Sequence, residues 1–411
     1  MVAPQTIVPH GDVTDDQPGD GGPQSEGPPL REVTMTDFFN PAFSGITCFS
    51  CGEPHELGRT HTVCRACGLP LRVELRLDST MTPAGIIDSS VSSMWRYEPV
   101  LPVSGSASVS LTEGWTPLVE AGDGAWVKDE ARNPTGSFKA RGMSMAVSAA
   151  AALGVERLVA PSAGNAAGAL SAYGAAAGIP VLVSMPEDTP EAFVKECRHY
   201  GAEVQLVTGT ISDAGKWLAE HRTSDDFDVS TLKEPYRIEG KKTMAYELWE
   251  QFQGDLPDVI VYPTGGGTGL VGMWKAFDEM EAMGWIGSGR PRMVSVQAAG
   301  CAPVVTAFES GAERTEPWEG AVTSAFGLRV PSPIGGFLCL RAIRETNGTA
   351  VAVPEDEIAP AAAALAAATG VDVCPEGGAA WAALTRLKGQ GWVTDSDRVV
   401  VFNTGTGLKY R

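Results

Sequence analysis

Between residues 157 and 207 the chain alternates short apolar runs with helical stretches, and that alternation leaves few architectures open. Residues 157–161 (RLVAP) read as a strand, 165–177 as an alanine-rich helix and 179–185 (IPVLVSM) as a second strand. Residues 193–200 then read as a helix and 202–207 (AEVQLV) as a third strand. Strand, helix and strand in repetition imply parallel sheets joined by right-handed crossovers. Residues 258–263, 292–298 and 398–403 are apolar runs of the kind found in sheets covered on both faces. Two α/β domains with a cleft between them are the economical arrangement.

The 411 residues are 43% hydrophobic, enough for two or three domains with a full interior. No run of 18 apolar residues occurs, and no basic stretch followed by an apolar one marks the N-terminus, so a cytoplasmic protein with no membrane partner is expected. A net charge of −19 argues against nucleic acid as a partner, because phosphate contacts need a basic surface. Residues 1–35 are rich in Pro, Gly and acid, with almost nothing to bury, and are expected to be a disordered tail.

The next unit, residues 36–110, carries Cys48, Cys51, Cys64 and Cys67 as C-x2-C-x12-C-x2-C. Each pair is followed closely by a glycine, and two such knuckles can offer four thiolates to one tetrahedral zinc. A zinc-ribbon-like structural site is the leading expectation. A thiol cluster that holds no metal is the second reading and a disulfide the third, the last disfavoured by a cytosolic setting. The remaining four cysteines, Cys197, Cys301, Cys339 and Cys374, read as small core residues.

Chemistry concentrates in three places. P-T-G-S-F-K-A-R-G (134–142) sets Lys139 in a glycine- and hydroxyl-rich turn before a helical stretch, a candidate Schiff-base amine against the ordinary reading of a surface cation. P-T-G-G-G-T-G (263–269) follows a strand and precedes a helix, so Gly265, Gly266, Gly267, Thr268 and Gly269 make either a tight turn or a phosphate cradle at a helix N-terminus. It lacks the Gly-Lys-Ser/Thr ending of a Walker loop and the pattern of a dinucleotide fingerprint. Asn165, in S-A-G-N, stands at a helix start, where an asparagine is ordinarily a cap. None of the five histidines falls in these blocks, which removes support for histidine-based catalysis.

Taken in order, E-G-W-T-P-L (113–118), the lysine motif, S-A-G-N, E-G-K-K-T-M-A-Y-E, P-T-G-G-G-T-G and N-T-G-T-G-L-K resemble the threonine synthase family of fold type II pyridoxal-phosphate enzymes. The resemblance runs from about residue 113 to 409. It implies the tryptophan synthase β-like α/β fold, with a large cofactor-binding domain from 111–142 and 241–411 and a small domain from 143–240. It implies pyridoxal phosphate as cofactor, with Lys139 as Schiff-base amine and α-proton base, and the loop Gly265–Gly269 on the cofactor phosphate. Asn165 would bond the phenolic oxygen and Thr404 the pyridine nitrogen, while Ser162, Ala163 and Gly164 would bind the substrate carboxylate. Lys139 would then need its pKa lowered toward about 7 or 8 by burial and a helix N-terminus.

A homodimer is the implied assembly, and the implied reaction converts O-phospho-L-homoserine and water to L-threonine and phosphate. Ala140, Ala163 and Ala166 depart from the family's usual acidic residue and threonines, which keeps a β-elimination or β-replacement enzyme in view. A serine/threonine dehydratase or a phosphoserine-using synthase of cysteate type is that alternative. A non-catalytic zinc-ribbon protein is the third class, opposed by the intact Lys139, glycine loop and Thr404.

Overall fold

Three sheets, each built from a different part of the sequence, organise the computed structural model, which describes residues 38–411. The predicted tail over residues 1–35 lies outside the described residues. The first sheet is antiparallel, with β1 (Phe43–Cys48) between β2 (Pro54–His55) and β3 (Leu71–Leu75). The largest has six strands in the order β12-β11-β10-β13-β5-β4. Its members are β4 (Leu118–Gly122), β5 (Ala125–Asp129), β10 (Val259–Pro263), β11 (Arg292–Ala298), β12 (Thr349–Val353) and β13 (Val399–Asn403), all parallel except the edge strand β4. The third is parallel throughout, in the order β8-β7-β6-β9. It comprises β6 (Arg157–Pro161), β7 (Val181–Pro186), β8 (Glu203–Val207) and β9 (Asp226–Asp228).

Every residue of β7, β10 and β13 is buried, as strands covered by helices on both faces require. The strand predicted from 179 starts at Val181 instead. The Ile179 N–H is spent closing the preceding helix, donating to the Gly174 carbonyl at 2.9 Å across Gly178 in the left-handed conformation. The helix predicted from 193 begins at Glu191, just after Pro190, with an acid in its first turn.

Three helices pack around the middle of the molecule, Lys139–Ala152, Tyr236–Gln251 and Thr268–Ala282. Their backbones approach through glycine. A Cβ on Gly142 would come within 2.8 Å of Lys241 Cε, and one on Gly272 within 3.0 Å of the Lys242 amide. The central helix is buried from Tyr236 to Leu248 although it carries Arg, Lys and Glu side chains.

Two buried ion clusters account for most of that charge. Lys128 and Arg141 meet Glu130 and Glu247, with Lys128 Nζ 2.7 Å from Glu247 and Arg141 Nε 2.7 Å from Glu130. Lys242 and Lys275 meet Glu239 and Glu279 at 2.6–2.9 Å. Each cluster sets two cations against two carboxylates, which is what lets buried charge persist.

Candidate active site

The first ion cluster explains several of the sequence blocks. Thr116 Oγ1, from E-G-W-T-P-L, donates to Glu130 at 2.7 Å, and the Trp115 N–H donates to Glu247 at 2.7 Å. Asn133 Nδ2 donates to Glu130 at 2.8 Å, and Arg141 also reaches Thr243 Oγ1 at 3.1 Å. Residues from three blocks, with Lys128, Glu130 and Asn133 from the stretch between the first two, thus close on one buried knot directly behind the turn that bears Lys139. Their work is to hold that turn.

The turn itself is unusual backbone. Thr135 has φ 57° and Gly136 φ 64°, and the segment is clamped to the stretch after β13. Phe138 N–H donates to the Thr404 carbonyl at 3.1 Å, Thr406 N–H to the Gly136 carbonyl at 2.8 Å, and Lys409 Nζ to the Thr135 carbonyl at 2.7 Å. Lys139 follows as the first residue of its helix, with Nζ 4.3 Å from the Phe138 ring centroid. Burial lowers its pKa to about 7, Arg237 pushes it the same way, and Glu376 opposes both. The shift has the size expected from sequence, but a guanidinium rather than a helix terminus is the second cause.

A cleft of about 310 Å³ opens over Lys139. It is lined by Ser162, Ala163, Gly164 and Asn165 after β6, by Gly265, Gly266, Gly267, Thr268 and Gly269 after β10, and by Thr404 after β13. All these residues lie beyond the carboxyl ends of parallel strands, where open α/β sheets form their ligand crevices. Two helix N-termini meet there. Among the described residues, the amide N–H groups of Ala163 to Ala166 and of Gly265 to Gly269 have no protein acceptor. Gly267 takes φ 81° to turn the strand into the helix, a conformation costly for any other residue.

Asn165 has one face already engaged. Its Oδ1 accepts from Lys409 Nζ at 3.0 Å, and the same ammonium is held by Glu196 at 2.8 Å. Thr404 is buried, with Oγ1 3.8 Å from Cys374 Sγ. Tyr262 also borders the cleft, and its hydroxyl is buried without a partner.

Ala163 and Ala166 line the cleft, whereas Ala140 is fully buried and does not. None of the four described histidines borders it. Several residues around it were not singled out from sequence: Glu376, Tyr262, Arg329, Lys233, and behind the walls Arg237, Lys241 and Lys409. Glu376 accepts from the Gly327 N–H at 2.7 Å and from Tyr410 at 2.9 Å. The block E-G-K-K contains Lys241 and N-T-G-T-G-L-K contains Lys409, so position in a block was the available signal; their contacts were not.

These features fit a phosphorylated aldehyde. An amine of lowered pKa sits at one point of the cleft, and a run of unpaired N–H donors at a helix N-terminus forms an anion cradle at another.

The four cysteines lie apart, in and beside the first sheet. Their Sγ atoms all fall within 4.8 Å of one another, with Cys48 to Cys67 at 3.5 Å and Cys51 to Cys64 at 3.6 Å. A tetrahedral zinc with bonds of about 2.3 Å separates its sulfurs by about 3.8 Å, so the set fits a metal. The Ser50 N–H reaches Cys48 Sγ at 3.3 Å and the Ala66 N–H reaches Cys64 Sγ at 3.4 Å, the turns expected of the two knuckles. Burial pushes the Cys48 thiol up, but hydrogen bonds from Cys51 and Ser50 outweigh it and bring the group down to about 7.

Residues 109–405 match the family described as pyridoxal-phosphate dependent enzyme. The chain is 34% identical over 373 residues to the threonine synthase of Methanosarcina acetivorans, covering 89% of this chain and 92% of that protein. It is 32% identical over 376 residues to the threonine synthase of Methanocaldococcus jannaschii, covering 88% and 92%. Among solved structures, maize serine racemase superposes with a TM-score of 0.61 at 22% identity, covering 71% of this chain and 88% of that one, a likeness of fold. With the lysine turn, the glycine cradle and relatives of this extent, the chain belongs to the threonine synthase family of pyridoxal-phosphate dependent enzymes.

Proposed function

We propose that the protein converts O-phospho-L-homoserine and water to L-threonine and phosphate. The observation that carries this reading is the one cleft holding Lys139, the S-A-G-N turn, the glycine loop and Thr404, in a chain aligned over nearly nine-tenths of its length with a threonine synthase. Bound pyridoxal phosphate supplies the electron sink that lets protons leave carbons near the substrate amine. The chain does the rest. N–H groups of Gly265 to Gly269 would hold the cofactor phosphate, and the Thr404 hydroxyl would serve the pyridine nitrogen as a neutral partner. Asn165, its Oδ1 held by Lys409, would offer Nδ2 to the phenolic oxygen. In the Ser162 to Gly164 turn the free N–H groups of Ala163 and Gly164 would take the substrate carboxylate, the Ser162 N–H being held by the Ser184 carbonyl at 3.0 Å. Lys139 Nζ, with a pKa of about 7, exists as both amine and ammonium near neutral pH and can therefore accept and return a proton.

Arg329 and Lys233 at the cleft wall supply positive charge for a substrate that arrives phosphorylated. One structural zinc on Cys48, Cys51, Cys64 and Cys67, a homodimeric assembly and a cytoplasmic place in amino-acid biosynthesis complete the proposal. No helix among the described residues is long and apolar enough to cross a membrane.

The test is to incubate cofactor-loaded protein with O-phospho-L-homoserine and follow products by NMR alongside phosphate release. Equal amounts of threonine and phosphate are expected. The methyl groups of Ala163 and Ala166 on the cleft wall, in place of hydroxyls, favour one second reading, departure of a leaving group from the β-carbon. An inert γ-phosphate substrate together with turnover of serine or phosphoserine would move the assignment there.

A further inference from the structure

Buried ammonium groups in this protein come with carboxylates. Lys128 has Glu247, while Lys242 and Lys275 share Glu239 and Glu279. Lys241 is the exception among the fully buried lysines. It is 0% exposed, and its one hydrogen-bond partner among the described residues is a neutral hydroxyl, Thr268 Oγ1, at 2.6 Å. The charged groups that act on it are Arg237 and Lys139, both cations, and Glu234, an acid. Glu234 spends its carboxylate on the N–H groups of Tyr236 and Arg237. Arg237 is itself underserved, with Nη1 on the Val229 carbonyl at 2.7 Å and with Nε and Nη2 buried without partners. Protonated, these groups carry positive charge that no carboxylate beside them is free to neutralise, a place suited to an anion.

Thr268 touches both sides of the wall. It begins the helix Thr268–Ala282, borders the cleft within the glycine loop, and accepts from Lys241 behind it. Space for the Lys241 stem is kept by Gly142, where a Cβ would stand 2.8 Å from Cε. We propose that Lys241 is the counter-cation of the cofactor phosphate, acting through Thr268: Nζ donates to Oγ1, and the threonine hydroxyl donates outward to a phosphate oxygen on the loop. This deepens the cofactor reading above and rests on it. Burial pushes the lysine pKa well down in the unliganded protein, and a phosphate dianion pulls it back, so binding of the anion takes up a proton.

The experiment titrates apoprotein with pyridoxal phosphate and with pyridoxal, following the visible band of the lysine-bound aldehyde. The wild type is expected to prefer the phosphate ester. Lys241→Met should cut that preference by about 10- to 100-fold while leaving pyridoxal affinity unchanged, and Lys241→Arg should restore part of it. Thr268→Val should remove the same preference, with little further loss in the double variant. An unchanged ratio of the two affinities in Lys241→Met, or an equal loss of both, would overturn the assignment. Should that variant fail to fold, calorimetry of inorganic phosphate binding to wild-type and Lys241→Arg apoprotein in two buffers of different ionisation enthalpy decides: proton uptake that is smaller in Lys241→Arg, whose guanidinium is already charged, supports the role of Lys241, and equal uptake in both ends it. A wild type that forms no visible band with either aldehyde would defeat the cofactor reading itself, a result distinct from the phosphate calorimetry.

Discussion

Lys409 Nζ lies 3.0 Å from Asn165 Oδ1, and this pair fixes which way the asparagine amide faces. An ammonium only donates, so the oxygen must point to Lys409 and the Nδ2 donors must point elsewhere. Lys409 also holds Glu196 and the Thr135 carbonyl, so one side chain ties the lysine turn to the asparagine turn.

Lys409→Met is expected to lower cofactor affinity about tenfold, by freeing the amide to rotate. It also strips Glu196 of its counter-ion. Burial already raises that carboxyl, and Lys409 opposes the rise. A carboxyl with a raised folded pKa binds more protons folded than unfolded, so stability falls as pH climbs from the unfolded value, about 4.3, through the folded one. Urea midpoints of the variant should therefore drop more steeply than wild type as pH climbs above about 4.3; parallel curves would contradict the pairing.

Lys139 has the opposite sign. Its folded pKa of about 7 lies below the unfolded value, so the unfolded chain binds more protons between about pH 7 and pH 10. Apoprotein should gain stability as pH rises through that window, and the gain should be smaller in Lys139→Ala. The same variant should show no visible band of lysine-bound cofactor.

The knot around Arg141 predicts a large structural penalty although none of its charged members borders the cleft. Arg141→Met leaves Glu130 and Glu247 buried with only Lys128 between them, and should cost about 3–5 kcal/mol in urea unfolding. A loss below about 1 kcal/mol would mean that the cluster is wetter than its burial indicates.

Metal analysis should return about one zinc per chain, and Cys51→Ser with Cys67→Ser should abolish it. Because the cysteines lie in and beside the first sheet and none of the four borders the cleft, the visible cofactor band should persist in that variant. Loss of the band together with the metal would show that the two sites are coupled.

Periodicity and turn chemistry made the scaffold legible: the runs at Arg157–Pro161, Asn165–Ala177 and Arg292–Ala298 coincide with the observed elements to the residue. Lys139, Asn165 and the glycine loop each had an ordinary reading as surface cation, helix cap or tight turn, and it was the ordered set of blocks shared with a known family that singled them out. The helix Tyr236–Gln251 was opaque for a physical reason. Its Arg, Lys and Glu residues look like a solvated face, and only partners from other parts of the chain, such as Glu279 for Lys242 and Lys275 for Glu239, make their burial possible. Arg237, Lys241 and Glu376 were missed on the same account, since pairing across the fold carries no local pattern. The steric work of the loop glycines was hidden too: a side chain on Gly266 would meet Thr231 within 2.5 Å, so that glycine serves packing as well as ligand approach.

The strand order sets a schedule. β13 lies in the interior of the large sheet, between β10 and β5, although it comes last of the strands in sequence. Until residues 399–403 are threaded in, β10 and β5 face each other across a gap with two raw edges, and the lysine turn has nothing to lean on. A half-made chain therefore cannot hold the cofactor as a partial domain. Closing such distant partners is slow, and throughout that interval the exposed edges invite pairing with other molecules. Maturation of the enzyme and completion of its core are one event.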